Sequence, residues 1–327
     1  MKRASKWWSR CSAAAAAAVV LSVMPTMANA QAYPSQDIRL ICAFPPGSGA
    51  DVLVRYFAEK LRPLANRTVI VENKSGAGGN IAMEYVSRAK PDGYTIFVHA
   101  ATAVAANQHL FKKPPVDAAK ALQIAASINR QPFMLVVDAK SPYRTVADLT
   151  EAMRKKGDKA TYATAAPTGT IMGEIYKDAA GIKAIEVNYK TGPDSLNEML
   201  SGKLDYGMHD PVFSLAQQRE GRLRILAVST ATRLEANPDL PTMTESGVPM
   251  DLTGWWAAML PTGTPNSVLD KVNQWFTEIV KTEETKKFLN GFGGDPFINT
   301  PEAGQALFLK AIKDWGEYVR IAKIEPQ

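Results

Sequence analysis

Two cysteines and three histidines are all the sequence holds, in 327 residues, of the side chains that most often mark redox and metal chemistry. Its histidines, His99, His109 and His209, have no metal-ligand spacing, and there is no HExxH or CxxC. A metalloprotease, a zinc ribbon and a dithiol oxidoreductase are therefore disfavoured. GxSxG and the P-loop lysine-serine pair are missing too. "GSGAD" and "GAGGN" each supply only part of a dinucleotide fingerprint. A Ser48–His209–Asp210 triad can be drawn, but neighbouring residues of a strand point to opposite faces, so Asp210 is poorly placed to orient His209. After residue 30 no apolar run is long enough to span a bilayer.

The single long apolar run lies at the start. Lys2, Arg3, Lys6 and Arg10 precede "CSAAAAAAVVLSV", and Met27-Ala28-Asn29-Ala30 ends in a small-x-small pattern. This is the layout of a secretory signal peptide over residues 1–30, cleaved after Ala30. No cysteine follows the apolar core, so no lipid anchor is expected there. Losing the leader's four basic residues takes the formal net charge from +6 to +2, which removes the electrostatic case for a nucleic-acid partner. It also leaves Cys42 alone, so no disulfide can form within the mature chain. In an apolar strand Cys42 reads as a buried structural thiol. The remaining 297 residues suggest about two domains.

Strands and helices alternate. "IRLICAF", "TVIVEN" and "YTIFVHA" read as strands, with helical spacing in "DVLVRYFAEKLRPL" and "IAMEYVSRA" between them. A second block runs through "FMLVVDA", "TVADLTEAMRKKG", "KATYATA", a helix near residues 171–180, "AIEVNYK", "SLNEMLSGK", "LDYGMHD" and "LRILAVS". "WWAAMLPTGTP" reads as strand and turn, and the C-terminal third as largely helical. Alternation of this kind predicts mainly parallel sheets, with loops 44–51, 74–80 and 98–103 at one edge. Two such α/β lobes place a cleft between them.

Two polar loops stand at expected strand ends. "ICAFPPGSGAD" is compatible with an ordinary strand-to-helix turn or with a glycine cradle for phosphate or carboxylate. Asp51 reads as a complement to the following helix start rather than a ligand contact, since it would repel an anion. "Pro167-Thr168-Gly169-Thr170" opens a helix in the same way. There, Thr168 or Thr170 could cap the first turn, or the free N–H groups and hydroxyls could hold an anion.

Several stretches together carry a resemblance: "YPSQDIRLICAFPPGSGADV", "VIVENKSGAGGNIAMEYVSRAKPDGYT", "VNYKTGPDSLNEMLSGKLDYGMHD", "LRILAVSTATRLEANPDLPTMTESGVP" and "PTGTP". In this order the sequence resembles the substrate-binding component of tripartite tricarboxylate transporters, the Bug or TctC-like family of periplasmic proteins, over essentially the whole mature chain. That resemblance implies a type II periplasmic-binding-protein fold, two α/β lobes joined by crossover strands, here 31–132 plus 253–327 and 133–252. It implies a periplasmic location, capture of a small organic carboxylate, aliphatic or aromatic, and delivery to membrane permease subunits. No catalysis and no cofactor are expected. A sensor kinase is the alternative partner, and an exported hydrolase the more distant rival.

The ligand-binding positions implied are Phe44, Gly47, Ser48, Gly49, His99 and Thr102 in the first lobe. In the second they are Thr164, Thr168, Gly169, Thr170, His209 and Asp210. Several depart from the family pattern. Gly47-Ser48-Gly49-Ala50 stands where three glycines and a threonine are usual, and Gly169 and Thr170 stand where serine and histidine are usual. In Met208-His209-Asp210 an imidazole replaces a phenyl ring. Tyr189 and Lys190 are read as hinge or scaffold, and one of Trp255 and Trp256 is expected to reach the cleft.

Overall fold

Eleven strands divide between two sheets in the computed structural model, which describes residues 33–189 and 191–326. The expected leader and Lys190 lie outside the described residues. The strands are β1 (Ile38–Cys42), β2 (Val69–Asn73), β3 (Thr95–Ala100), β4 (Leu122–Gln131), β5 (Met134–Asp138), β6 (Thr161–Thr164), β7 (Ile185–Asn188), β8 (Tyr206–His209), β9 (Leu223–Val228), β10 (Gly254–Pro261) and β11 (Asp295–Pro296). One sheet has the order β11-β4-β10-β3-β1-β2 and the other β7-β6-β8-β5-β9. From Gln36 onward the chain forms one compact body.

Both sheets are mixed, where the alternation predicted mainly parallel ones. β1 pairs in parallel with β2 and β3, and β6 with β7 and β8. β10 runs against β3 and β4, and β5 against β8 and β9. The reason lies in the route of the chain. β4 ends at Gln131, and β5 begins three residues later at Met134, opposite His209 at the end of β8. β9 ends at Val228, also opposite Met134, and β10 starts at Gly254, opposite Gln131. The chain therefore leaves each sheet at the carboxyl edge of its βα units and enters the other at that same edge, so the incoming strand must run backwards. These registers bring the carboxyl edges of both sheets to the two crossings.

Ser229 ties the crossings together. Its buried hydroxyl accepts from the Phe133 N–H (2.8 Å) and donates to the Leu252 carbonyl (3.0 Å), and its own N–H reaches the Phe133 carbonyl. Helices cover the sheets with their apolar faces. The helix Pro301–Ile321 buries Phe308, Trp315 and Val319 at helical spacing. It packs on β4 and on the helices Ala101–Leu110 and Pro167–Ala180, so it touches elements flanking both sheets. Central strands read as continuous apolar runs because both their faces are covered: Ile96, Phe97 and Val98 are all fully buried.

Candidate functional site

The carboxyl edge of the first sheet is built on the loop after β1. Ser48 caps the helix Gly49–Ala65: its hydroxyl accepts from the Asp51 N–H (3.2 Å) and donates to the Pro45 carbonyl (2.8 Å). Asp51 is buried and accepts from the Gly47 N–H (2.8 Å), Asn73 Nδ2 (2.7 Å) and Arg55 Nε (2.8 Å). Burial alone would raise its pKa, but the bonds from Arg55, Asn73 and Gly47, with the Arg55 charge, outweigh that and hold it at about 2. Asn73 also donates to the Phe44 carbonyl (2.9 Å), which closes the clasp around the loop. Gly47 and Ser48 thus hold the loop in shape; Gly47 and Gly49 are exposed, and Phe44 and Ser48 half-buried.

Beside this loop, Phe44, His99 and Trp256 make an aromatic floor. The His99 ring lies 5.2 Å from Phe44 and 5.7 Å from Trp256, centroid to centroid, and Phe44 lies 6.3 Å from Trp256. Trp255 instead packs on Phe297. Both ring nitrogens of His99 are buried and, among the described residues, without a hydrogen-bond partner. Burial lowers its pKa to about 4, so the imidazole is neutral at pH 7. Nε2 faces Gly79, whose φ of +97° and lack of a Cβ allow the approach; a Cβ there would stand 2.7 Å from that nitrogen. Thr102 lies in the first turn of Ala101–Leu110, a helix whose N-cap, Ala100, offers no side chain to its free N–H groups.

Across the crossings, β6 ends at Thr164 and the helix Pro167–Ala180 follows. The expected threonine cap does not form. Pro167 occupies the first turn, which moves the cap position back to Ala166, and that helix start also has no side-chain cap. Thr168 and Gly169 lie in this first turn, Thr168 half-buried and Gly169 buried against the strand carbonyl of Met208. Thr164 and Thr170 both direct their hydroxyls to the same oxygen, Oε1 of Glu186 on β7. Asn188 Nδ2 donates to Thr164 Oγ1 (3.2 Å).

His209 sits under the helix Gly192–Leu200, with Nε2 3.2 Å from the buried Ser195 hydroxyl and its ring 4.9 Å from Phe213. Burial lowers its pKa to about 4. Asp210 caps the helix Pro211–Arg219 through the Phe213 N–H (3.0 Å), and burial pushes its carboxyl above the usual range. Each member of the drawn triad is therefore engaged elsewhere: Ser48 with Pro45, His209 with Ser195, and Asp210 with Phe213. No hydrogen bond joins any two of them, so the drawn triad does not form.

Four functional-site features escape a reading of the sequence. The Asp51–Asn73 clasp joins residues 22 apart. Glu186 and Asn188 alternate on one face of β7, a pattern visible in "IEVN", but only the pairing with β6 puts that face against Thr164. Ser195 meets His209 through helix packing alone. Trp256, rather than Trp255, joins the floor.

Comparison with known proteins fits this layout. The sequence profile of the "Tripartite tricarboxylate transporter family receptor" matches residues 53–323. A UPF0065 protein of Bordetella bronchiseptica is 30% identical over 313 residues, covering 95% of this chain and 92% of the relative. Among solved structures, "R. palustris Rpa4515 with adipate" superposes with a TM-score of 0.78 at 27% identity, covering 90% of this chain and 100% of the other. "Structure of periplasmic binding protein BugD" gives 0.74 at 28% identity, with 90% and 100% covered. With its two-lobed α/β periplasmic-binding-protein fold, the chain belongs to the tripartite tricarboxylate transporter receptor family, the Bug or TctC-like solute-binding proteins.

Proposed function

We propose that this protein is exported through residues 1–30, captures a small organic carboxylate between its two lobes and hands it to membrane permease subunits, without chemically changing it. The lobes, 31–132 plus 253–327 and 133–252, close about the crossings tied by Ser229. The observation that carries this reading is the pair of helix starts, at Ala101 and Pro167, that stand at the carboxyl edges of the two sheets with no side-chain cap. Free N–H groups and the positive end of a helix favour an anion, and a carboxylate can accept from several at once. The Thr102 and Thr168 hydroxyls stand at those starts. Neutral His99, whose nitrogens have no partner among the described residues, lies beside Phe44 and Trp256 and supports a ligand whose body lies on the aromatic floor. The solved relative with adipate supports the same ligand class.

Thermal unfolding of the mature protein against aliphatic, aromatic and amino-acid carboxylates tests this. A ligand specific to the folded state adds about 2.7 kcal/mol at a hundredfold excess over its Kd. A rise in Tm with one class of acid is expected. No rise with any of them, in protein that mass spectrometry shows to be free of copurified ligand, would overturn the proposal.

A further inference from the structure

Two of the second lobe's hydroxyls, those of Thr164 and Thr170, are committed before any ligand arrives. A threonine hydroxyl has one proton, and Thr164 and Thr170 both give theirs to Glu186 Oε1. Thr164 also accepts from Asn188, so its hydroxyl has already given its proton and received another group's. Thr170, itself buried, then has only lone pairs left to offer. On the neighbouring strand end Asp210 adds a second carboxylate, whose bonds go to its own helix start. Among the described residues, loops 164–170 and 209–212 and strand residues 186–189 contain no lysine or arginine; Lys190, next along the chain, lies outside them. One uncapped helix start at Pro167 therefore stands among acceptors and negative charge.

Resting on the carboxylate-capture reading, we infer that Glu186 is a specificity-determining residue, which selects a monocarboxylate carrying a hydrogen-bond donor at its far end, hydroxyl or ammonium, over a dicarboxylate. A ligand anionic at both ends would bring its second charge against Glu186 without a counter-ion among the described residues. A donor placed there finds the Thr170 lone pairs and the Glu186 carboxylate. Glu186 does this without being one of the amide donors that hold the first carboxylate.

Titration calorimetry with length-matched pairs tests this: succinate against 4-aminobutanoate, and adipate against 6-aminohexanoate. The wild-type protein is expected to bind the ammonium member of whichever pair fits its cleft about tenfold more tightly. Glu186→Gln keeps an acceptor for the two hydroxyls and removes the charge, so it is expected to bring that pair within about threefold. A merely structural role for Glu186 would lower both affinities and leave their ratio unmoved. A wild-type preference for the dicarboxylate overturns the inference while leaving carboxylate capture standing, and needs no variant to fold. A ratio unchanged by Glu186→Gln overturns it as well. Binding of no carboxylate at all would remove capture and this inference together.

Discussion

Asp51 is the best-defended single residue at the site: three donors converge on one buried carboxylate. Its folded pKa, about 2, lies below the ordinary 3.8. The stability it contributes is therefore complete above about pH 4 and is lost as the pH falls through 2. That difference corresponds to about 2 kcal/mol. Asp51→Asn is expected to lose roughly that much at pH 6 and to show a flatter acid limb in urea titrations between pH 4 and 2. Equal acid limbs in the two proteins would refute the clasp. His99 and His209 act in a higher window. Burial depresses both to about 4 from 6.5, so the unfolded chain takes up their protons first. Stability is full above pH 6.5 and falls towards pH 4, by about 3 kcal/mol for each histidine. His99→Phe is expected to remove about half of that histidine-dependent loss and to weaken carboxylate binding at pH 7.5. An unchanged slope from pH 6.5 to 4 would contradict the buried, neutral assignment.

Helix starts differ in how their first N–H groups are satisfied. Most helices here follow ordinary capping chemistry, as with Ser48, Thr145, Asp210 and Thr300. Those at Ala101 and Pro167 forgo it, as do those at Asn80 and Asn266, but only the first two carry a threonine hydroxyl in the first turn after a strand's carboxyl end. If the start at Pro167 is kept open for a ligand, closing it should cost function while helping the fold. Ala166→Asp is expected to stabilise the protein by about 1 kcal/mol and weaken carboxylate affinity about tenfold, measured by denaturant titration and calorimetry on the same sample. A gain in stability with no loss of affinity would remove this helix start from the site. The elements themselves were largely legible. Strand runs such as "IRLIC" and "LRILAV" and helices such as Val146–Lys156 lie where periodicity put them. β4 was not, because "LQIAASINRQ" has small and polar residues on a strand whose burial comes from partners far along the chain. The cap at Ala166 was hidden for a local reason: two threonines invited a cap, and Pro167 set the register before either could serve.

For the whole molecule, the decisive fact is how the two sheets meet. Alternating strands and helices implied two lobes, but the reversal of β5 and β10 depends on where the chain crosses, which no local pattern reports. Away from Ser229 the two halves also touch at Gly293. Its φ is +79°, and a Cβ there would stand 2.7 Å from both the Pro211 ring and Leu215 Cδ1 on the helix that follows β8. Gly293→Ala is expected to wedge that contact, lowering carboxylate affinity about tenfold. Small-angle scattering of the variant with carboxylate should then match the ligand-free protein, and a compaction equal to wild type would exclude the contact from closure.

If neutral donors at the two sheet edges hold the ligand, they must recognise its negative charge. Calorimetry of the mature protein with a bound carboxylate and its uncharged primary amide tests it most directly. Saturable one-to-one binding of the acid is expected, with at least about a hundredfold weaker binding of the amide, whose NH₂ would face N–H donors. Equal affinity for the amide would contradict it, because the helix starts would then not be what recognises the ligand.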